Sequence, residues 1–366
     1  MLFHSSVRKE LARSFGATLV VLITIVMTMT LIRTLSQASR GSVNPQEVLM
    51  VMGYTVLGYL APLLTLSLFV AMVGVLSRMY RDSEMVIWFS AGRGLSSLLR
   101  PLFSFAWPVL LVVVALALVG WPWANEQTLE LRRRYGSRGD LERVAPGQFQ
   151  ESAGGTRVFF LDKDSPDNRS GRNIFIATQE RERETVTSAR TGQVVTQGDG
   201  QFLLLGDGQR MERALDGSEL KLSVFAELGT RVGEARDTAR DEMPPKARRT
   251  WDLLDDPGPR DRGELAWRLG LSIAAFNFVI IAATVSSVNP RAGRSGHLLF
   301  ALCAFIVYYN LLNLGQSWIG SERVGMGAFL LALHGGVFAL ASFWLAKQHN
   351  GWSLVPRIFR RRKSAT

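Results

Sequence analysis

Acid–base and ligating side chains are sparse wherever this sequence could enclose a reaction. The four histidines, His4, His297, His334 and His349, stand far apart, and the single cysteine, Cys303, lies within an apolar run. No second ligand falls at metal spacing, so no metal site is expected, and one cysteine permits no intrachain disulfide. The charge-free apolar stretches hold no Asp or Glu, which a proton- or sodium-coupled carrier usually places near the bilayer midplane. An intramembrane protease would want a buried Asp pair, a Ser with a His, or a His-Glu-x-x-His helix, and no such set is apparent. A Gly-x-x-x-x-Gly-Lys phosphate loop is missing as well. His334, beside Gly335-Gly336, reads as a packing contact. The chain is therefore not expected to be an enzyme, and any transport it performs takes its energy from another chain.

Two features could bind rather than react. Arg78–Gly94 reads RMYRDSEMVIWFSAGRG between two long apolar segments. Asp82 or Ser83 can cap a helix there, Glu84 suits its first turn, and Gly92 supplies a stop. Met85, Trp88 and Phe89, spaced by three and four, share one face of a helix of about nine residues. Such a helix either lies in the headgroups or is offered to a soluble partner. Arg33, at the end of an apolar run, is either a snorkelling cation or a contact for an anionic amphiphile. Arg40, further out, is the weaker candidate.

The elements that position these features follow from hydropathy. Hydrophobic residues make up 47% of the 366 residues, and mean hydropathy is +0.13. Six charge-free stretches are long enough to cross a bilayer: Ser14–Ile32, Val48–Ser77, Pro101–Asn125, Leu269–Pro290, Ser295–Ser321 and Val324–Ala346. Basic residues of the short loops, from Arg8, Lys9 and Arg13 through Arg78, Arg81 and Arg93 to the Arg357–Lys363 tail, gather on one side. Arg40 and Arg323 stand opposite, so both termini are expected in the cytoplasm. Residues 125–262 carry net charge −2 and the remainder +13, which places the excess basic charge in the membrane half and argues against nucleic acid. Short β-prone runs separated by Gly-Gly and Asp-Gly turns fill 158–225 and predict a sandwich, jelly roll or barrel. Charged, proline-containing residues 231–262 read as a connector. The expected fold is an α-helical polytopic membrane protein of six transmembrane helices with an inserted all-β, jelly-roll-like domain. Its parts are helices 1–3 in 1–124, the β-domain and connector in 125–262, and helices 4–6 with a basic tail in 263–366.

Four stretches resemble the lipopolysaccharide-transport permeases of the LptF/LptG (YjgP/YjgQ-type) family. They are Leu66-Ser67-Leu68-Phe69 running to Tyr80, Ser83-Glu84-Met85 through Gly92, Gly147-Gln148-Phe149-Gln150, and Glu264-Leu265-Ala266-Trp267-Arg268 continuing to Arg294. The Gly147–Gln150 stretch is more F-type than G-type. The resemblance implies a half-transporter in the Gram-negative inner membrane, paired with a G-type permease subunit on a homodimeric, LptB-like ABC ATPase that binds the ATP and Mg. It further implies extraction of lipopolysaccharide and its passage, with a bitopic LptC-like protein, to a periplasmic LptA-like bridge. Residues of about 81–92 would be the coupling helix, touching the ATPase through Glu84, Arg81, Met85, Trp88, Phe89 and Gly92. Arg33 and Arg40 would face the lipid. Phe159, Leu161, Phe175, Phe202, Leu204, Leu222 and Val224, chosen by alternation, would line a lipid path inside the β-domain or form its ordinary core. Thr65 stands where the family often has proline, with Pro62 three residues earlier, and Arg93-Gly94 follow Gly92 where an apolar residue and serine are commoner. The rival reading is a membrane-anchored envelope sensor or scaffold.

Overall fold

The computed structural model describes residues 2–39, 43–90, 94–136, 149–151, 157–160, 162, 170–179, 183–197, 200–214, 219–231, 243–255, 257–285 and 294–350. Six helices among them are long and apolar enough to cross a membrane. The helices are α1 (Leu2–Ser39), α2 (Val48–Arg81), the short α3 (Glu84–Ser90), α4 (Leu99–Ala115) and α5 (Trp121–Gly136), followed by α6 (Asp252–Asp255), α7 (Pro259–Val285), α8 (Arg294–Gly320), α9 (Met326–Leu330) and α10 (Gly336–Asn350). Single π-helical turns, Leu116–Gly120 and Leu331–Gly335, join α4 to α5 and α9 to α10.

Contacts divide the chain into two units. The first, Met1–Thr28, Tyr54–Glu126 and Pro244–Thr366, holds the apolar core of the bundle. Within it α2 and α7 are the inner helices: Phe69, Met72 and Leu76 of α2 share a buried cluster with Phe278 and Val279 of α7. Small residues let the helices approach closely. A Cβ at Gly263 of α7 would lie 2.6 Å from the Gln316 carbonyl of α8, and one at Gly315 would lie 1.8 Å from the Phe329 ring of α9. Helix α7 also begins ten residues before its charge-free run and carries Asp261, Glu264 and Arg268. The charge-free run starts the span only at Leu269 because these charges interrupt hydropathy, yet all three are buried within the helix.

The second unit, Met29–Gly53 and Gln127–Met243, contains one six-stranded antiparallel sheet whose strands follow chain order. They are β1 (Phe149–Glu151), β2 (Arg157–Phe160), β3 (Ser170–Gln179), β4 (Arg183–Gln197), β5 (Gly200–Ala214) and β6 (Leu220–Arg231). Asn173 and Asp207 adopt left-handed φ angles of 48° and 49°. At these points the pairing passes from Arg172↔Thr191 to Ile174↔Ala189 and from Thr191↔Gly206 to Ala189↔Gly208. Buried positions there fall three apart, as in Ala189 and Gly192, so the sheet bends along one line.

Gly315→Ala is expected to lower bundle stability by about 1–3 kcal/mol through overpacking against Phe329. Thermal unfolding in detergent, followed by tryptophan fluorescence, should show the loss and its partial recovery in Gly315→Ala/Phe329→Leu.

Candidate functional site

Helix α3 sits after a tight reversal. Ser83 has φ 59°, and the Val86 amide donates to the Ser83 carbonyl at 3.0 Å. Neither expected cap is used as a cap. Asp82 instead accepts from Arg81 Nε at 3.2 Å and from Arg78 Nη1 at 3.1 Å. The hydrogen bond from Arg81, more than that from Arg78, holds the Asp82 carboxyl below its ordinary range. Glu84 opens the helix as predicted but is engaged: Arg78 Nη1 donates to its Oε1 at 2.7 Å.

The predicted apolar face of α3 needs correction. Met85 and Trp88 point inward and join the bundle core with Val7, Leu11 and Leu98. The Trp88 indole donates to Ser97 Oγ at 3.0 Å, which fixes its orientation. Phe89 is exposed instead, beside Val86 and Ile87, which are 64% and 73% exposed. Spacing alone finds Met85 and Trp88 because any helix on a bundle shows such a stripe toward its own core. The surface available to a partner is Val86, Ile87 and Phe89, with exposed Arg81 at its start. Gly92 lies outside the described residues.

In the second unit Arg33 is exposed near the C-terminal end of α1. Gln37, one turn further along the same face, accepts from Arg132 Nη2 of α5 at 3.0 Å. Arg132 therefore stands close enough to Arg33 for the two charges to repel. Among the described residues no carboxylate forms an ion pair with either. Two guanidiniums whose charges act on one another suit a multivalent anion. Arg132 was missed because it sits in an ordinary-looking Arg132–Arg134 run, and only the tether to Gln37 distinguishes it. Arg40 lies outside the described residues.

The sheet places five of the predicted lipid-path residues, Phe175, Phe202, Leu204, Leu222 and Val224, on the opposite face from its core. Ile174, Ile176, Ala189, Leu203 and Leu205 form the buried cluster, with Phe225 and Leu228 against it. Phe175 pairs in register with Ser188, which pairs with Gln209 and then Val224, so these share the other face. Phe202, Leu204 and Leu222 alternate onto it too, and Leu222 and Val224 are 65% and 82% exposed. Phe175 and Phe160 both ring-pack against Phe149 there. Phe159 is in register with Ile176, and Leu161 lies outside the described residues. Alternation yields two faces, and continuous apolar runs such as Phe202–Leu205 do not say which is buried.

A buried polar hub completes the first unit. Arg268, with no exposure, donates through Nε to Glu264 Oε1 at 2.9 Å and through Nη1 to Thr250 Oγ1 at 2.8 Å. Its Nη2 reaches the carbonyls of Pro245 and Arg248, each at 3.1 Å. Trp121 Nε1 donates to Glu264 Oε1 and Gln316 Nε2 to Oε2, both at 2.8 Å. Thr250 in turn donates to the Leu118 carbonyl inside the first π-turn. A second cluster joins Asn277, Tyr308 and His334: Asn277 Nδ2 donates to Tyr308 Oη at 2.9 Å and to the His334 carbonyl at 3.1 Å, and Tyr308 Oη meets His334 Nδ1 at 2.7 Å.

Removing one partner of a buried pair costs about 3–5 kcal/mol. Arg268→Met is expected to lower thermal stability by that order, and Arg268→Met/Glu264→Gln to recover part of it, read by unfolding in detergent.

The family model for lipopolysaccharide export system permease LptF/LptG matches residues 7–348. The chain is similar to the lipopolysaccharide export system permease protein LptF of Escherichia coli (strain K12), with 26% identity over 360 residues, covering 95% of this chain and 94% of that protein. The LptF proteins of Escherichia coli O157:H7 and Shigella flexneri match to the same extent.

Proposed function

Because the chain belongs to the lipopolysaccharide export permease family LptF/LptG, we propose that it is the F-type permease subunit of an ABC transporter that extracts lipopolysaccharide from the bacterial inner membrane. Both termini and α3 face the cytoplasm in this reading, and the sheet faces the periplasm, an orientation that the basic short loops support. Hydrolysis of ATP, with its Mg, takes place on a separate homodimeric ATPase. A G-type permease subunit completes the cavity, and a bitopic LptC-like protein with an LptA-like bridge receives the lipid.

The observation that carries this reading is α3. A helix of seven residues holds little structure by itself. Here it is pinned by Met85 and Trp88 and presents Val86, Ile87 and Phe89 outward, an apolar knob suited to a groove in a soluble partner. The paired Arg33 and Arg132 supply the complementary feature, a cationic seat for the phosphates of an anionic lipid. On the sheet, the exposed apolar face of Phe149, Phe175, Leu222 and Val224 is the surface along which acyl chains travel.

Three measurements test this. Ile87→Asp is expected to abolish co-purification of the ATPase while leaving the thermal unfolding of the chain within a degree or so, since Ile87 buries little; an unchanged complex would remove the docking role of α3. Arg33→Ala/Arg132→Ala should weaken lipopolysaccharide retention about tenfold or more, the scale of one lost charge-assisted bond. A benzophenone side chain at Val224 should capture lipopolysaccharide during ATP turnover, whereas one at Leu205 on the buried face should not.

A further inference from the structure

Arg78, in the last turn of α2, holds two other helices at once. Its Nε and Nη2 engage the two carboxylate oxygens of Glu10 on α1 at 2.5 and 2.6 Å, a bidentate pair. The remaining capacity goes to the start of α3, with Nη1 to Glu84 Oε1 at 2.7 Å and Nη2 to Oε2 at 3.4 Å. Among the described residues Arg78 is the one cation in ion-pair contact with either glutamate. The side chains are about one-third exposed, so the contacts are partly shielded from water. Val7 and Leu11, flanking Glu10 on α1, are buried in the same apolar core as Met85 and Trp88 of α3.

Helix α1 otherwise packs lightly. Within this chain only 6% of its most apolar stretch is buried, against 83% for α2. A long helix with so little packing takes its position from the few residues that tie it down. Glu10 is therefore placed to act as a handle on α1.

We propose that Glu10 and Arg78 form the joint through which a displacement of α3 is passed to α1. Glu10 and Arg78 are positioning residues in this scheme, since neither needs to touch the lipid or the nucleotide. Pairing of Glu84 with Arg78 makes α3 and the first turns of α1 one block, because the guanidinium placed between the two carboxylates bridges them and offsets part of their mutual repulsion. The proposal rests on the reading of α3 as the ATPase-facing element.

The test uses Glu10→Gln, which unlinks α1 and leaves α3 and Glu84 unaltered. In the full transporter reconstituted in lipid, ATP hydrolysis is expected to stay within about twofold, while lipopolysaccharide released per ATP falls about tenfold, the loss of one charge-assisted bond. Glu10→Asp should restore part of the ratio, and Glu10→Gln/Arg78→Gln should be no worse in that ratio than Arg78→Gln alone. Spin labels at Ala12→Cys and Ser90→Cys, in a Cys303→Ser background, give a second readout. The expected distance distribution is single and unchanged between nucleotide-free and vanadate-trapped transporter, and broad in Glu10→Gln. An unchanged release ratio together with an unchanged distribution in Glu10→Gln would overturn the joint. If no ATPase associates with the wild-type chain, the permease reading fails instead, and the label pair in the isolated chain still decides whether Glu10 holds α1 to α3.

Discussion

A guanidinium without solvent contact survives only where its nitrogens are all engaged, and Arg268 meets that condition by drawing four parts of the chain to one point. Glu264 neutralises it from the preceding turn of α7, Thr250 and the carbonyls of 245–248 bring in the connector, and Trp121 and Gln316 close the shell from α5 and α8. The tilted contact of Trp121 with Trp267, centroids 4.8 Å apart, and the bond from Trp267 to Asn313 extend the same contact network. Substituting apolar residues for such a pair can be neutral in energy, so its value here is geometric. It specifies which residue of the connector meets which turn of the bundle.

The acidic residues of the membrane half show how economical this arrangement is. Outside residues 125–262 the sequence contains six, and four of them are held by Arg78 (Glu10, Asp82 and Glu84, with Arg81 also on Asp82) and by Arg268 (Glu264). Arg78 organises one end of the bundle and Arg268 the connector. Among the described residues, Arg33 and Arg132 form no ion pair with an acid.

How much of this was legible in the sequence depended on the range of the interaction. The six spans and the inserted β-region follow from hydropathy and short-period alternation, which are local. The position of α3 was also legible, since Asp82-Ser83-Glu84 interrupts an apolar sequence at a short loop. Its outward face was not, because Met85, Trp88 and Phe89 satisfy a helical stripe equally well whichever way the helix is turned. Likewise Leu203 and Leu204 are adjacent and equally apolar, and only the packing of Ile174 and Ile176 selects the buried one. Glu10 and Arg78 are 68 residues apart, and Trp121 and Glu264 are 143 apart; no periodicity links them. The scarcity of acids was the one available clue that Glu10 and Glu264 had assigned partners.

The two π-turns carry a consequence for how the helices are indexed. A π-turn accommodates one residue more than an α-helical turn, so everything beyond it is rotated by about 100° from where an uninterrupted helix would place it. Leu116–Gly120 thus sets the azimuth of Trp121 toward Glu264. Leu331–Gly335 likewise sets the phase of α10, and the carbonyl of His334 within it is taken by Asn277. Each turn is equivalent to a single-residue insertion retained in the middle of a membrane helix. Aligning such a helix residue by residue with one that lacks the turn would compare faces about 100° apart beyond that point, so homologous positions here have to be matched by azimuth as well as by order.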